Sequence, residues 1–185
     1  MKAELIKTPL DGPVIIDVHC FEDERGFFME VWQKKDFAAM GLDLEFCQEN
    51  HSRSAYGVLR GLHYQDMTAP LGKLIRCTLG TIFDVTVDLR VSSPTFGQWF
   101  GLELSAANKK QFYIPPGFAH GFASLTEFVE VQYKQTGYYN PAAEQSLAWN
   151  DPAIGVNWPI KDPTLSKRDK QGISLQDYLK NPAFR

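Results

Sequence analysis

The residues best equipped for chemistry are two histidines placed at the ends of apolar runs. His63 closes the run Val58-Leu59-Arg60-Gly61-Leu62, and His120 comes after the turn Ile114-Pro115-Pro116-Gly117 and leads into Gly121-Phe122. Proline fixes φ and glycine supplies a backbone geometry that other residues avoid, so this turn holds its place and aims the strand after it. An imidazole gains and loses a proton near neutral pH. Two such rings delivered by apolar strands suggest a lined pocket suited to acid–base work, although each also fits a satisfied core or rim histidine. Three further groups are double-edged in the same way. Tyr133 falls on the apolar face of the segment 127–135 and points inward, as a core tyrosine with a bonded hydroxyl also would. Lys73 comes directly after Gly72 at the start of an apolar run, where it could simply be solvated. Asp169 lies three residues after Ser166, the spacing of a helix capping box.

The elements that must position these groups show a period of two. In Thr81-Ile82-Phe83-Asp84-Val85-Thr86-Val87-Asp88-Leu89 the odd positions are apolar and the even ones mostly polar, which predicts a strand with one buried face. The segment 98–104 alternates with apolar even positions, and 127–135 puts Val129, Val131 and Tyr133 on one face. Further strands are expected from Val14 to Cys20, Phe27 to Trp32, Phe46 to His51, Val58 to His63 and Lys73 to Cys77, separated by turn signals at Leu71-Gly72, Leu79-Gly80, Ser93-Pro94 and Asn140-Pro141. Short strands at nearly regular spacing, without alternating helices, predict an all-β fold: an antiparallel sandwich or barrel of jelly-roll type. Helix is confined to short pieces, Lys34 to Met40 before Gly41, and Leu175 to Lys180 after Ser174 as N-cap. On the same strand rule Arg60 and His63, an odd number of residues apart, should face opposite ways unless Gly61 allows a bulge.

Composition sets the outer limits. A chain of 185 residues, 44% hydrophobic and 22% charged, is expected to form one soluble domain over residues 1–185, with no internal repeat or linker. The net charge of −3 supplies no general field for nucleic acid, so an anionic ligand would need a local cluster of Arg and Lys. Cys20, Cys47 and Cys77 are odd in number and widely spaced. They are expected to be reduced, buried thiols of a cytoplasmic protein. The segment Met1 to Lys7 lacks the apolar core of a signal peptide or membrane anchor.

A series of motifs, in order, resembles the dTDP-4-dehydrorhamnose 3,5-epimerases. They are Glu24-Arg25-Gly26-Phe27-Phe28, Gln48-Glu49-Asn50-His51-Ser52, Val58-Leu59-Arg60-Gly61-Leu62-His63, Gly72-Lys73-Leu74-Ile75-Arg76 and Ser93-Pro94-Thr95-Phe96-Gly97-Gln98-Trp99. The likeness continues through Ile114-Pro115-Pro116-Gly117-Phe118-Ala119-His120-Gly121-Phe122, Tyr138-Tyr139-Asn140-Pro141 and Trp149-Asn150-Asp151-Pro152. The resemblance implies a cupin-type jelly roll, a homodimer and epimerisation of a dTDP-linked 4-keto-6-deoxy sugar on the route to dTDP-L-rhamnose. Single-position epimerases and non-catalytic sugar-nucleotide-binding cupins are the nearest alternatives.

Such chemistry needs a base to take a proton from C3 or C5, a group at the enolate oxygen, and an acid on the opposite face. The resemblance implies that His63 is the base, Asp169 its partner, Lys73 the cation at the C4 oxygen and Tyr133 the acid. It assigns Arg25, Arg60 and Arg168 to the diphosphate, Tyr139 to stacking on thymine, and His120 to the sugar. Glu30, Gln48, Glu49, Asn50 and Glu144 would hydrogen-bond around the nucleotide or sugar, with Arg25 and Glu30 crossing to the partner's pocket. No cofactor is expected, and no metal: many cupins hold one on a His-x-His pair, whereas His63 precedes Tyr64-Gln65 here.

Overall fold

A computed structural model describes residues 2–185; Met1, the first residue of the expected domain, lies outside the described residues. In chain order the strands are β1 (Ala3–Lys7), β2 (Val14–Val18), β3 (Phe21–Asp23), β4 (Gly26–Phe28), β5 (Gln48–Ala55), β6 (Leu59–Gln65), β7 (Lys73–Leu79), β8 (Thr81–Asp88), β9 (Trp99–Ser105), β10 (Gln111–Ile114), β11 (Phe118–Ser124), β12 (Phe128–Gln135) and β13 (Glu144–Ser146). Helix is limited to α1 (Lys34–Ala39), α2 (Leu175–Tyr178) and one 3-10 turn at Asp169–Gln171. No helix among the described residues is long and apolar enough to cross a membrane.

Two antiparallel sheets face each other, one in the order β1-β2-β10-β7-β12-β5 and the other β13-β6-β11-β8-β9, while β3 and β4 form a separate ribbon. Between the sheets lie Ile75, Cys77, Phe112, Val129 and Val131 from the first and Ile82, Leu104, Phe118 and Phe122 from the second. A second apolar layer covers the far side of the five-stranded sheet. There Leu62, Tyr64, Val85, Val87 and Leu89 pack against Leu147, Ile154, Tyr178 and Phe184 of the C-terminal segment. On the far side of the six-stranded sheet, Phe37 of α1 joins Ile16, Val18, Leu74 and Tyr113.

This layering overturns one expectation. Strand β8 is buried on both faces, not one: Val85, Val87 and Leu89 face the C-terminal segment, and Asp84, Thr86 and Asp88, each 0% exposed, are also out of solvent. The polar face is held by hydrogen bonds, as burial of such groups requires. Asp88 accepts from Arg90, Ser93 and Thr95, and Thr86 Oγ1 donates to the Ala119 carbonyl.

Strand bounds shift where packing runs out. The expected strand from Phe27 to Trp32 is reduced to β4, because the β3–β4 ribbon lies on neither sheet and leaves Phe21, Phe27 and Phe28 exposed. Met29 and Trp32 turn back onto the layer around Phe37. The strand expected from Val14 to Cys20 ends at Val18, and that expected from Phe46 runs instead from Gln48 to Ala55, paired along its whole length with β12. Strands β1, β3, β10 and β13 are additions with short or mixed patterns. Both helices are shorter than expected: α1 stops at Ala39 before Gly41, at φ +91°, and α2 stops at Tyr178. Ser174 caps α2 as expected, its hydroxyl accepting from the Asp177 N–H at 3.0 Å. The cysteines are free, but only Cys77 is buried: Cys20 is half-buried and Cys47, on the loop that leads into β5, is exposed, which corrects the expectation of buried thiols.

Candidate active site

Strand β6 carries His63 into the interior through a bulge. Across β6 and β11, His120 pairs with His63 and Phe122 pairs with Arg60, so β6 spends one more residue than β11 over this span. Gly61 sits at φ +135°, and a Cβ there would lie 2.5 Å from Gly121 Cα. Only glycine fits that close approach. The bulge resolves the parity problem: Arg60 and His63 both line one cavity of about 610 Å³ between the sheets. Lys73 at the start of β7 and Tyr133 on β12 line the same cavity, as do Gln48, Asn50, His120, Tyr139, Glu144, Arg168 and Asp169.

Asp169 bonds to both Ser166 and His63. Its Oδ2 accepts from Ser166 Oγ at 2.7 Å and its N–H donates to that oxygen at 3.1 Å, a reciprocal pair of the capping-box kind at the start of the 3-10 turn, whose N-cap residue Arg168 makes no side-chain cap bond. Its Oδ1 lies 2.5 Å from His63 Nε2. The carboxylate is 3% exposed. Burial alone would raise its pKa, but the hydrogen bonds from His63 and Ser166 hold it below the usual carboxylate range. With the Nε2 proton directed at Asp169, Nδ1 is left as the basic nitrogen. Burial lowers the pKa of His63; the Asp169 bond opposes this, and Lys73 and Arg168 reinforce it. The balance of these effects favours the neutral imidazole.

Desolvation also pushes the Lys73 ammonium down to about 8, against the raising effect of Glu144 and Asp84. Tyr133 has its phenol pKa raised by burial, so it is a protonated donor throughout the neutral range. His120 is fixed by Asp84, whose oxygens lie 2.9 and 3.1 Å from its Nε2. The cavity thus holds two His–Asp pairs on neighbouring strands, with a lysine and a tyrosine across from them. No group of three or more His, Cys, Asp or Glu side chains among the described residues could hold a metal ion.

Toward the mouth the groups form one chain of contacts. Gln48 Oε1 accepts from the Tyr139 N–H at 3.0 Å, and its Nε2 donates to Asn50 Oδ1 at 3.1 Å. Tyr139 Oη donates to Glu144 at 2.9 Å, and Glu144 pairs with Arg168. Arg168 Nη2 also lies 3.1 Å from His63 Nε2. Arg60 is braced by Ser54 Oγ at 3.0 Å and the Arg53 carbonyl at 3.2 Å.

Three expected residues are not brought to this chain's own cavity. Glu49 lies between Gln48 and Asn50 on β5, so alternation sends it to the outer face, where Lys134 pairs with it at 2.7 Å. Arg25 sits at the tip of the β3–β4 ribbon, 83% exposed and bound to Asp23. Glu30, just past that ribbon, is exposed too and is absent from the lining. Conversely, Asp84, Ser166 and Gln135 belong to the cavity region and carried no functional expectation. Asp84 was legible as a polar residue in an apolar strand, but the alternation does not say which face points between the sheets.

A cupin-like jelly roll that gathers a His–Asp pair, a desolvated lysine and a buried tyrosine around one cavity has the groups an isomerase would use. The comparisons with known proteins agree. The family model described as dTDP-4-dehydrorhamnose 3,5-epimerase matches residues 7–177. The chain is 50% identical over 177 residues to the dTDP-4-dehydrorhamnose 3,5-epimerase of Salmonella typhimurium, covering 95% of this chain and 97% of that one. Among solved structures, a dTDP-6-deoxy-D-glucose-3,5-epimerase from Legionella pneumophila, in complex with dTDP-4-keto-L-rhamnose, superimposes with a TM-score of 0.91 at 45% identity, over 95% of this chain and 94% of that one. A 3'-monoepimerase from Streptomyces bikiniensis, in complex with dTDP-quinovose, gives 0.90 at 32% identity over 96% and 90%. The chain belongs to the dTDP-4-dehydrorhamnose 3,5-epimerase family, and it is an epimerase.

Proposed function

We propose that this single domain epimerises C3 and C5 of dTDP-4-dehydro-6-deoxy-D-glucose, yielding dTDP-4-dehydro-L-rhamnose, with no cofactor or metal. The observation that carries the mechanism is the His63–Asp169 pair facing Lys73 and Tyr133 across one cavity. The C4 ketone acidifies the C–H bonds on either side of it. His63 removes the proton from one face, and Asp169 stabilises the imidazolium that forms. Lys73 compensates the charge that develops on the C4 oxygen, an interaction that strengthens toward the transition state. Tyr133 returns a proton to the opposite face, which inverts the carbon. A positioned acid or base of this kind is worth roughly 10²–10⁴-fold in rate.

The substrate's nucleotide end lies toward the mouth. Tyr139 stacks on thymine, and Gln48, Asn50 and Glu144 hydrogen-bond around it. Arg60 and Arg168 grip the diphosphate through paired donors, and His120, oriented by Asp84, contacts the sugar. Arg25 and Glu30 serve the nucleotide from a partner subunit in a homodimer. The reaction takes place in the cytoplasm.

Incubation with dTDP-4-keto-6-deoxyglucose in D₂O tests the reaction. Deuterium is expected at both C3 and C5; label at one carbon alone would favour a single-position epimerase, as the Streptomyces bikiniensis relative is named. In the same assay Tyr133→Phe is expected to lose far more product than exchange, because His63 still removes and returns protons on its own face. Wild-type product formation by Tyr133→Phe would show that its hydroxyl is not the acid.

A further inference from the structure

Among the described residues, two that line the cavity have a buried polar side-chain atom without a partner, Ser52 through its Oγ and Gln135 through its Oε1, and of these only Gln135 also reaches the recess behind the cavity. Gln135 ends β12, two residues beyond Tyr133 and so on the same face of the sheet. It stands opposite Lys73 on β7 and opposite Gln48 on β5. Its side chain lines the main cavity and a recess of about 30 Å³ behind it that Lys73, His120 and Glu144 also line. Gln135 is only 4% exposed, and its Oε1 has no hydrogen-bond donor. A buried amide oxygen left without a donor costs free energy, and folded proteins rarely tolerate it without a reason. The missing partner must be a small group that donates a hydrogen bond, because the recess has room for about one water-sized group.

We propose that Gln135 is a substrate-binding residue that accepts a hydrogen bond from the sugar hydroxyl next to the ketone, and so selects 4-keto sugars that carry this hydroxyl. The assignment rests on the function proposed above, in which Lys73 faces the C4 oxygen. Cross-strand neighbours have Cβ atoms about 4.5–5.5 Å apart, so Gln135 and Lys73 reach adjacent oxygens of one ring. Of the two carbons beside C4, only C3 bears a hydroxyl; C5 bears a methyl group and the ring oxygen. A ketone, a methyl group and an ether oxygen donate nothing to an amide carbonyl. The C3 hydroxyl does, and it is the group whose configuration the reaction changes.

The experiment compares the wild-type protein with Gln135→Met on two substrates, dTDP-4-keto-6-deoxyglucose and its 3-deoxy analogue, reading kcat/KM for deuterium exchange at C5. Sites built to bond a substrate hydroxyl reject the analogue lacking it, so wild type is expected to prefer the hydroxylated sugar by about 10-fold or more. Gln135→Met is expected to lose most of that preference by slowing only on the hydroxylated sugar. Its thermal midpoint without substrate should equal or exceed that of wild type, since methionine keeps the length and no native side-chain bond is lost. An unchanged preference, or equal losses on both sugars, would overturn the assignment. A fall in midpoint of more than about 4 °C would too, because it would show the amide holding the fold. Absence of exchange by wild type on either sugar would instead overturn the epimerase function and this assignment together.

Discussion

His63 has neighbours that pull its proton in opposite directions. Asp169 at 2.5 Å stabilises the imidazolium, whereas burial, Lys73 and the Arg168 guanidinium stabilise the neutral ring, and the second set prevails. In the base role proposed above, a ring held this way would be ready before the substrate arrives and would still have a partner once protonated. The lowered pKa sets the acid limb of the pH profile. Only the neutral ring can accept a proton, so kcat/KM should fall as pH drops through a value below the ordinary 6.5 of histidine. In the mechanism proposed above the alkaline limb would belong to Lys73, which must be charged to meet the developing oxyanion and whose pKa desolvation pushes down to about 8. Activity should therefore decline above about pH 8. Rates measured from about pH 5 to about pH 9.5 check both limbs, and a flat profile through the alkaline side would show that the charge on Lys73 is not used.

At the scale of the element, the bulge in β6 decides what the site contains. Without it, strand parity would put Arg60 and His63 on opposite faces of the sheet. Gly61 makes the bulge possible, with φ at +135° and Gly121 pressed against it. In Gly61→Ala the new Cβ would meet Gly121 Cα at 2.5 Å and the His120 carbonyl at 3.0 Å, both backbone atoms that cannot rotate away. Overpacking and left-handed strain each cost about 1–3 kcal/mol. A fall in thermal midpoint of roughly 5–12 °C is expected, with activity reduced beyond what the stability loss explains. Gly26→Ala is the control, since Gly26 also has a positive φ, +122°, but nothing lies within 4 Å of its Cβ. Equal effects from the two substitutions would mean that backbone strain alone, and not the contact with β11, holds the bulge. The glycine was legible in the sequence as a possible break in parity. Its close contact with Gly121 was not, because the two residues come from strands far apart in the chain.

At the scale of the whole molecule, the β3–β4 ribbon is the part that does not close on itself. It exposes Phe21, Phe27 and Phe28 at 54%, 62% and 66%, and carries Arg25 away from the chain's own cavity. Clustered exposed aromatics mark an interaction surface, and in the homodimer proposed above the ribbon would deliver Arg25 to a second copy. Mixing two weak variants tests this. Arg25→Ala spoils the partner's site and His63→Asn spoils its own, so a mixed dimer contains one intact site. Random exchange of subunits should restore activity to roughly a quarter of wild type. No recovery, in dimers shown by sedimentation to have exchanged, would mean that Arg25 acts within its own chain or not at all.

Local sequence was enough to set the antiparallel all-β class, the short helices with the Ser174 cap, and the inward face of Tyr133. Each comes from a periodicity or capping rule that acts over a few residues. The motifs also pointed to His63, Asp169 and Lys73 as members of one site, and the two contacts open to Asp169 coexist, since one carboxylate oxygen serves Ser166 and the other His63. Which face of each strand lies between the sheets was settled only by the packed fold. A period of two separates the faces of β8 but does not say that the C-terminal segment will cover one while the other holds Asp84 against His120. Packing also turned Glu49 outward while its neighbours Gln48 and Asn50 point in, and set Gln135 opposite Lys73 with its oxygen unpaired. These outcomes depend on register and layering, which are set by contacts between residues distant in sequence.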